Sequence, residues 1–387
     1  MLDLSSVVAG PMATMILADL GAEVIKVERI DGGDDARGMG PHRGPWGAFF
    51  VSLNRGKRSV AVDITKPAGR EIVLGLAESC DVFMENFRGG KSTALGLDEP
   101  AVRARKQDII YASLTAYGPR GPDYSKPGYD ALIQGRTGIV SVTGTGEGAP
   151  IRAGVSIIDM GAGAWMALGI VAALFERERS GRGQRVDASL FQTGVMLMAY
   201  HLVYRQFTGI NPRPQGSRHT SFAPYGIFPT ADGTIMIGIS NDRLFRRLCS
   251  ALGKAEWPED PRFRSNPKRV ENCDALENEI TAVLRTHPTA YWRGVFDQHD
   301  VPNDAVQNAG EVMADRQVAA LDQLPEIALA GEEPVAIPRL PIDLSATHPE
   351  FAGPPPALGE HSRAILAEAG YSTAEIEELI RSGVCKA

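Results

Sequence analysis

One carboxylate stands out among the residues that could carry chemistry. Asp159 directly precedes an uncharged run, 160–175, whose small and apolar residues predict a helix. An aspartate in this place commonly caps a helix, because its side chain accepts a hydrogen bond from a free backbone N–H. Those N–H groups also favour the ionised form, and an ionised carboxylate in a dry surrounding is a nucleophile for an acyl carbon. Gly161 and Gly163 are expected to leave room for a thioester beside it.

Other well-known chemical motifs are missing from the sequence. It contains no G-x-G-x-x-G fingerprint and no G-x-S-x-G elbow. Gly90-Lys91-Ser92 imitates the end of a phosphate-binding P-loop, but Glu85 stands where that loop needs its first glycine. None of the seven histidines pairs with a carboxylate at helical spacing, which argues against zinc. We therefore expect no metal and no permanently bound cofactor.

Composition and charge exclude several classes of protein. A net charge of −7 without a Lys/Arg block excludes nucleic acid as a partner. The four cysteines are scattered and form no CxxC, and the opening residues lack a basic signal region, so we expect free thiols and a cytoplasmic location. The apolar run after Asp159 is shorter than the roughly 20 residues that a membrane span needs. A buried core helix and no membrane partner are the expectation.

The elements that position the carboxylate follow an alternating pattern. Residues 1–8 predict a strand, 12–20 a helix and 23–28 a second strand, and this alternation continues to residue 189. Such a pattern indicates an α/β, Rossmann-like, doubly wound parallel sheet. Prolines after residue 210 and a hairpin pattern at 227–239 mark a change of character. We predict a large domain of residues 1–204 and 321–387, and a smaller α+β domain of residues 205–320.

Several segments taken together resemble the class III CoA-transferases, the CaiB/BaiF family, which includes formyl-CoA transferase, carnitine CoA-transferase and α-methylacyl-CoA racemase. The similar segments are 4–11, 17–28, 54–59, 85–88, 128–130, 159, 169–170, 176–184 and 358–362. They extend over nearly the whole chain and are vaguest in 205–320. The resemblance implies that acyl-CoA and a free carboxylic acid are the substrates, and that Asp159 is acylated and then carries CoA as a thioester. It also implies an interlocked homodimer whose active site both chains line.

The resemblance further implies a set of CoA contacts. The positions that carry over are Arg29, Val62, Asp63, Asn86, Phe87, Lys126, Tyr129 and Asp130. Arg29 would meet a CoA phosphate or the adenine, although such an arginine, taken alone, is more often a solvated surface residue. Asn86 and Phe87 are also typical turn residues. Lys126 aligns only with one inserted residue.

Three departures from the family pattern bear on the reaction. Tyr129 stands where the racemase branch has a histidine, and a tyrosine with a pKa near 10 is a poor base. This favours CoA transfer, and leaves an acyl-CoA racemase or epimerase, or a non-catalytic CoA-binding protein, as the alternatives. Val8 and Ala94 replace a glutamine and an arginine of formyl-CoA transferase, and its glycine-run loop is missing, which disfavours oxalate and formate.

A larger acid fits these departures better, for example a dicarboxylate such as succinate. Such an acid needs a cation for its second carboxylate. Arg218 or His219 would supply that contact if the segment around them reaches the site. The alternative is that both belong to a surface linker.

Overall fold

The computed structural model of the protein describes residues 1–146, 149–351 and 353–387. It divides into a large unit of Met1–Ile139, Ala153–Val203 and Ala319–Ala387, and a small unit of Val140–Arg152 and Tyr204–Val318. The borders near residues 204 and 320 lie close to the predicted ones. The segment 140–152, which the sequence assigned to the large domain, groups with the small unit instead.

The secondary structure alternates throughout the first half of the chain. The strands are β1 Leu2–Asp3, β2 Val24–Glu28, β3 His42–Arg43, β4 Trp46–Gly47, β5 Lys57–Val62, β6 Val82–Glu85, β7 Ile110–Thr115, β8 Arg185–Ser189, β9 Tyr225–Pro229, β10 Thr234–Gly238, β11 Asn303–Ala305, β12 Glu326–Leu329, β13 Glu332–Ala336 and β14 Cys385–Lys386. The helices are α1 Ala9–Asp19, α2 Ala48–Leu53, α3 Pro67–Glu78, α4 Lys91–Leu95, α5 Glu99–Arg105, α6 Asp130–Thr137, α7 Ile139–Val142, α8 Ile157–Ser180, α9 Leu190–Leu197, α10 Ala199–Thr208, α11 Asp242–Ala251, α12 Asn266–Glu271, α13 Cys273–Leu284, α14 Thr289–Gln298, α15 Ala309–Met313, α16 Arg316–Ala320, α17 Ser362–Glu368 and α18 Thr373–Arg381.

The large unit is built on a seven-stranded sheet in the order β14-β5-β2-β1-β6-β7-β8. All neighbouring pairs are parallel except β14 with β5. From the central β1 the chain runs outward through β2 and β5, and then returns to the other side of β1 with β6. The β1/β6 boundary is therefore the point at which the strand order reverses, where α/β sheets bind their ligands. The predicted α/β class with a large parallel sheet is confirmed.

Strand β1 is shorter than the sequence suggested. The predicted strand of residues 1–8 ends at Asp3, and the next residues turn away from the ladder. The buried Lys26 Nζ donates to the carbonyl of Ser5 at 2.8 Å, and Val7 adopts a left-handed backbone with φ of 72°. A β-branched residue reaches that conformation only when tertiary contacts impose it, so local propensity could not reveal this turn.

Helices cover both faces of the large sheet. On one face α1 and α8 pack closely against each other, and the glycine at 163 permits it. A Cβ on Gly163 would lie 2.7 Å from both the carbonyl oxygen of Ala9 and the Cβ of Met12. A Cβ on Gly161 would meet Thr193 at 3.2 Å. The expectation that these two glycines make room for a thioester is therefore wrong for Gly163, which serves helix packing.

Helix α8 is buried along one side only. By length and composition it is apolar enough to cross a membrane, with a mean hydropathy of 1.8 over its most apolar stretch. The buried side consists of Ile158, Ala162, Gly163, Met166, Ala167, Ile170 and Ala173. The opposite side exposes Trp165, Leu168, Val171 and Phe175. The prediction of a buried core helix is thus correct for one side of α8 within this chain.

Buried charges occupy the half of the sheet formed by β1, β2 and β5. Asp3, Lys26 and Ser59 pair across these strands, so they share the face that α1 covers. Lys57 Nζ lies 3.2 Å from Asp3, and Lys26 Nζ lies 2.8 Å from Asp34. Burial by itself raises the pKa of Asp3, but two lysine charges and two hydroxyl hydrogen bonds outweigh burial and hold it at about 2.

The small unit has its own core. Strands β9 and β10 form the predicted hairpin, and β11 adds to β10 to give an antiparallel sheet of three strands. Helices α11, α13 and α14 contribute apolar residues such as Phe245, Ile280 and Phe296 to one cluster with the sheet. The fully buried Arg269 donates to the carbonyls of Ala223 and Phe263. This unit can therefore be described as a separate compact body.

Lys57→Met should destabilise the large unit strongly. It leaves Asp3 charged, fully buried and short of one cation, and breaking a buried pair in this way typically costs about 3–5 kcal/mol. Urea denaturation followed by tryptophan fluorescence measures the loss. Lys106→Met is the control, because this lysine lies nearer the surface and 3.7 Å from Asp81, and it should change the free energy of unfolding by less than about 1 kcal/mol. Equal effects of the two substitutions would contradict the buried pair.

Candidate active site

Asp159 lies in the first turn of α8, but it does not cap the helix. Ser156 occupies the N-cap position, and Asp159 is the third helical residue. The carboxylate that accepts from the start of α8 belongs to Asp130, whose Oδ2 lies 2.8 Å from the N–H of Ile158 and 3.1 Å from that of Asp159. The expected capping role of Asp159 is therefore wrong, since a side chain distant in sequence fills it.

The surroundings of Asp159 disfavour its charge. Its carboxylate is partly buried and accepts no hydrogen bond from the residues that the structure describes. Burial raises the pKa of Asp159 to about 7, and the negative charge of Asp130 adds to the shift. The sequence had suggested the opposite direction, namely that helix N–H groups would favour the ionised form. At neutral pH Asp159 is consequently divided between a proton-bearing form and a poorly solvated carboxylate.

A cavity of about 240 Å³ opens beside Asp159. Its wall comes from the segments that follow three parallel strands, together with the loop before α6. These segments are Ser6–Ala9 after β1, Asn86–Gly89 after β6, Leu114–Ala116 at the end of β7, and residues 124 and 126–129; Asp35, Asp159 and Leu190 complete the lining. The cavity therefore lies at the carboxyl ends of the strands, at the β1/β6 reversal of strand order.

The turn after β1 is held rigidly where it borders the cavity. Asn86 accepts from the N–H of Ser6 at 2.9 Å and donates to its carbonyl at 2.8 Å. Asp34 accepts from the N–H of Val7 at 2.9 Å. These contacts hold Val7 in a conformation that costs of order 1–3 kcal/mol for a residue of its kind. The wall is thus shaped before any ligand binds.

A second cavity of about 170 Å³ continues along the same edge of the sheet. Arg29 and Val62 line it, and Ser6, Asp35 and Phe87 line both cavities. The guanidinium of Arg29 is exposed, forms an ion pair with Asp35 and donates to the carbonyl of Gly33 at 3.0 Å. The two cavities form one elongated groove, with Asp159 in the first and a solvated cation in the second.

Most of the predicted contacts lie along this groove. Arg29, Val62, Asn86, Phe87, Lys126 and Tyr129 line one cavity or both. Lys126 forms an ion pair with Asp123 at 2.5 Å. Two predicted contacts line neither cavity. Asp63 accepts hydrogen bonds from Thr65 within its own turn, and the buried Asp130 is turned toward the start of α8.

The two candidates for holding a distal carboxylate belong to the small unit. Arg218 is bound by two carboxylates, since its Nε lies 2.9 Å from Glu277 and its Nη2 lies 2.7 Å from Asp274. The ring of His219 accepts from the N–H of Ser221 and stacks against Phe222. The positive charge of Arg218 is therefore already neutralised within its own unit.

The matches to known proteins agree with this arrangement. The family model described as CoA-transferase family III matches residues 1–362. A succinyl-CoA:glutarate CoA-transferase from Mus musculus is 36% identical over 99% of this chain and 88% of its own length. A succinate–glutarate CoA-transferase from Agrobacterium fabrum is 35% identical over 95% of this chain and 94% of its own. A solved CaiB/BaiF family protein from Brucella suis has a TM-score of 0.85, with 34% identity over 95% of this chain and 97% of its own.

The chain belongs to CoA-transferase family III. In this family III CoA-transferase, the carboxylate singled out by the sequence lies in a cavity at the point where the fold binds ligands. Within the described ranges, no group of three or more His, Cys, Asp or Glu side chains could hold a metal ion.

Reasoning from the sequence missed several parts of the cavity wall in this CoA-transferase. Residues 114–116 and Leu190 line the cavity, and neither was a candidate. A usable signal existed for the first segment, because it ends a predicted parallel strand and ligands bind at such ends. No signal in the sequence marked Leu190, which tertiary packing brings to the cavity.

Asp159→Asn should stabilise the folded enzyme at alkaline pH. The pKa of Asp159 rises from 3.8 to about 7 on folding, so ionisation opposes folding progressively from about pH 4 to pH 7 and at full strength above. An amide escapes this cost. We expect a gain of roughly 2–4 kcal/mol in the free energy of unfolding at pH 8, shrinking toward zero at pH 4.5. Denaturant unfolding of both proteins at the two pH values measures it, and a gain that does not depend on pH would refute the raised pKa.

Proposed function

We propose that this protein transfers CoA between carboxylic acids by way of an acylated Asp159. The observation that carries the proposal is a partly buried carboxylate that faces a cavity at the ligand-binding edge of the sheet. Among the described residues, none donates a hydrogen bond to it. Such a carboxylate is weakly solvated, so it attacks an acyl carbon more readily than an aspartate in water. The family and the names of its relatives support the same reaction class.

The proposed cycle conserves the energy of the thioester. An oxygen of Asp159 attacks the carbonyl carbon of the donor acyl-CoA, forms a C–O bond and expels the CoA thiolate, which leaves a mixed anhydride. The thiolate then attacks the carbonyl carbon of Asp159, releases the donor acid as its carboxylate and forms an aspartyl-CoA thioester. The acceptor carboxylate reverses both steps, and the Asp159 carboxylate is regenerated. No net proton is taken up, and no nucleotide is consumed.

The groove gives CoA a place in each of its two cavities, which share Ser6 and Phe87 in their walls. We assign the pantetheine arm to the cavity that contains Asp159, against Asn86, Lys126 and Tyr129. The nucleotide end is assigned to the second cavity, where Arg29 is exposed toward an incoming phosphate or adenine. The ion pair of Arg29 with Asp35 is exposed, and such pairs are worth little, so a phosphate can replace the carboxylate.

Dicarboxylates such as succinate and glutarate are the proposed acids. The relatives from mouse and Agrobacterium are named for transfer between these two acids. Arg218 and His219 remain a prediction for the second carboxylate of the acid. Arg218 would have to give up its ion pair with Glu277 or Asp274 in order to bind the substrate. This makes Arg218 a weaker candidate than His219.

Racemisation is the alternative reaction at this site, and Tyr129 argues against it. The side chain is 66% exposed and borders the cavity with Asp159. A two-base racemase needs a partner that takes up and releases a proton near neutral pH. The phenol of Tyr129, in the open wall of the cavity, does not meet this need.

A homodimer is part of the proposal, interlocked as the family resemblance implies. Trp165 is 48% exposed, Leu168 is 57% exposed and Phe175 is 66% exposed on one side of α8, and Met196 on α9 is also exposed. Exposed apolar residues that cluster in this way mark interaction surfaces in soluble proteins. We also propose a cytoplasmic location, in keeping with four unpaired cysteines.

Asp159→Asn should lower CoA exchange by about 10⁴-fold or more, because the amide cannot form the anhydride. Purified enzyme is incubated with succinyl-CoA and glutarate in D₂O, and the products are followed by mass spectrometry. Glutaryl-CoA without deuterium at the α-carbon is the expected product. Asp98→Asn, which alters the capping carboxylate of α5, is the matched control and should retain full exchange.

Three outcomes of this assay would count against the proposal. Deuterium uptake without acid exchange would establish the racemase alternative. Exchange that Asp159→Asn leaves intact would move the reaction to another group. CoA binding without any turnover, across a panel of acyl-CoAs and acids, would leave only a CoA-binding protein.

Light scattering at micromolar concentration should give twice the 41.5 kDa mass of the chain. Placing lysines at positions 168 and 175 (Leu168→Lys with Phe175→Lys) charges the exposed side of α8 and should weaken the dimer. Ile342→Lys is the control, because this apolar residue is exposed and does not belong to α8. A wild-type mass of one chain would refute the dimer.

A further inference from the structure

The backbone donors of the first four helical residues of α8, Ile157 to Met160, are already engaged. The N–H of Ile157 donates to the carbonyl of Val155 at 2.9 Å, and that of Met160 donates to Ser156 at 3.0 Å. The two donors between them, on Ile158 and Asp159, both go to Oδ2 of Asp130. A helix N-terminus normally offers such groups to a nearby anion. Here none of these four N–H groups remains for the side chain of Asp159.

Asp130 is built into the protein as a fixed acceptor. Its side chain is buried, and Gln134 Nε2 donates to its other oxygen, Oδ1, at 2.5 Å. The amide oxygen of Gln134 in turn accepts from the N–H of Ala153 at 2.9 Å. Asp130 therefore does not line the cavity, and this orientation replaces its predicted role as a CoA contact.

We propose that Asp130 is a positioning residue that promotes acylation of Asp159, by withholding the helix donors from it and by placing a second negative charge behind it. The inference rests on the proposed function. Ionised Asp159 is repelled by Asp130 and accepts no hydrogen bond within the described part of the chain, whereas the anhydride and the thioester carry no charge at this position. Acylation thus relieves the repulsion, and Asp130 shifts the balance between free and acylated enzyme toward the covalent form.

Other charged groups near Asp159 do not replace this effect. The titratable side chains in the cavity wall are Asp35, Arg88, Tyr124, Lys126 and Tyr129. Arg136 on α6 binds Asp123, and Arg185 and Asp187 on β8 bind each other. Helix α9 and the first turn of α1 carry no charged residue. None of these groups shifts the pKa of Asp159, whereas the charge of Asp130 raises it.

Two substitutions separate the charge of Asp130 from its hydrogen bonds. Asp130→Asn keeps an oxygen that can accept from Ile158 and Asp159 but removes the charge, and Asp130→Glu keeps the charge but moves the acceptor. We call the fall of kcat/KM toward low pH, measured for succinyl-CoA and glutarate, the acid limb. Its midpoint reports the ionisation of Asp159, because only the carboxylate attacks. Wild type should show this limb near pH 7, and Asp130→Asn should move it down by about one pH unit or more.

The amount of covalent intermediate provides a second readout. Enzyme is equilibrated with fixed concentrations of succinyl-CoA and succinate, and the fraction that carries CoA is measured by intact-protein mass spectrometry. Asp130→Asn should lower the ratio of CoA-bearing to free enzyme about tenfold, the equivalent of one pKa unit. Asp130→Glu keeps the charge but releases the helix donors, so it should move the acid limb down by less than Asp130→Asn does. Asp98→Asn, which removes a capping charge on α5, should change neither readout.

The outcomes distinguish this inference from the proposed function. If wild-type enzyme exchanges no acids, the proposed function fails first. If wild type exchanges acids and Asp130→Asn leaves both the limb and the ratio unchanged, the role of Asp130 is overturned. A loss of stability in Asp130→Asn without a shift of the limb would reduce Asp130 to a helix cap, and would likewise overturn the proposal.

Discussion

Asp159 is a carboxylate that has lost water without gaining a hydrogen-bond donor from the described residues, so its charged form is high in free energy. The proposed chemistry of the site depends on this property. The cost arises first from burial, and Asp130 adds to it through its negative charge and by accepting from the N–H groups of Ile158 and Asp159. A protein stable by about 5–15 kcal/mol can carry such a cost only once or twice. In the mechanism that we propose, concentrating this cost at one residue of the ligand-binding edge makes that residue reactive toward acyl groups.

The rest of the fold keeps this residue at a cavity that exists before ligand binds. The charged half of the sheet is central to that task, because Lys26 holds the carbonyl of Ser5 and its partner Asp34 holds the N–H of Val7. The buried ion pairs thus fix a strained turn that would otherwise relax into the cavity. A preformed wall spares the enzyme the entropy of ordering it during each encounter with CoA. The tight packing of α1 on α8 at Gly163 fixes the other wall.

The sequence revealed those features that depend on neighbouring residues. Alternating apolar patterns predicted the strands and helices up to residue 189, and the helix-start pattern led to Asp159. It could not reveal which carboxylate caps α8, since Asp130 lies 29 positions away and only folding brings it there. For the same reason the role of Gly163 was misjudged, because the neighbour that needs its missing side chain lies on another helix. The antiparallel strand β14, which pairs with β5 at the edge of the sheet, was missed because two residues carry no periodicity.

The most direct test is to locate the covalent intermediate on the chain. Enzyme is mixed with succinyl-CoA in the absence of an acceptor acid, quenched in acid, treated with hydroxylamine or digested directly, and sequenced by tandem mass spectrometry. The account predicts that CoA, or the hydroxamate left after hydroxylamine, is attached to the side chain of Asp159. Attachment at another carboxylate, or no adduct in enzyme that nevertheless exchanges acids, would contradict it.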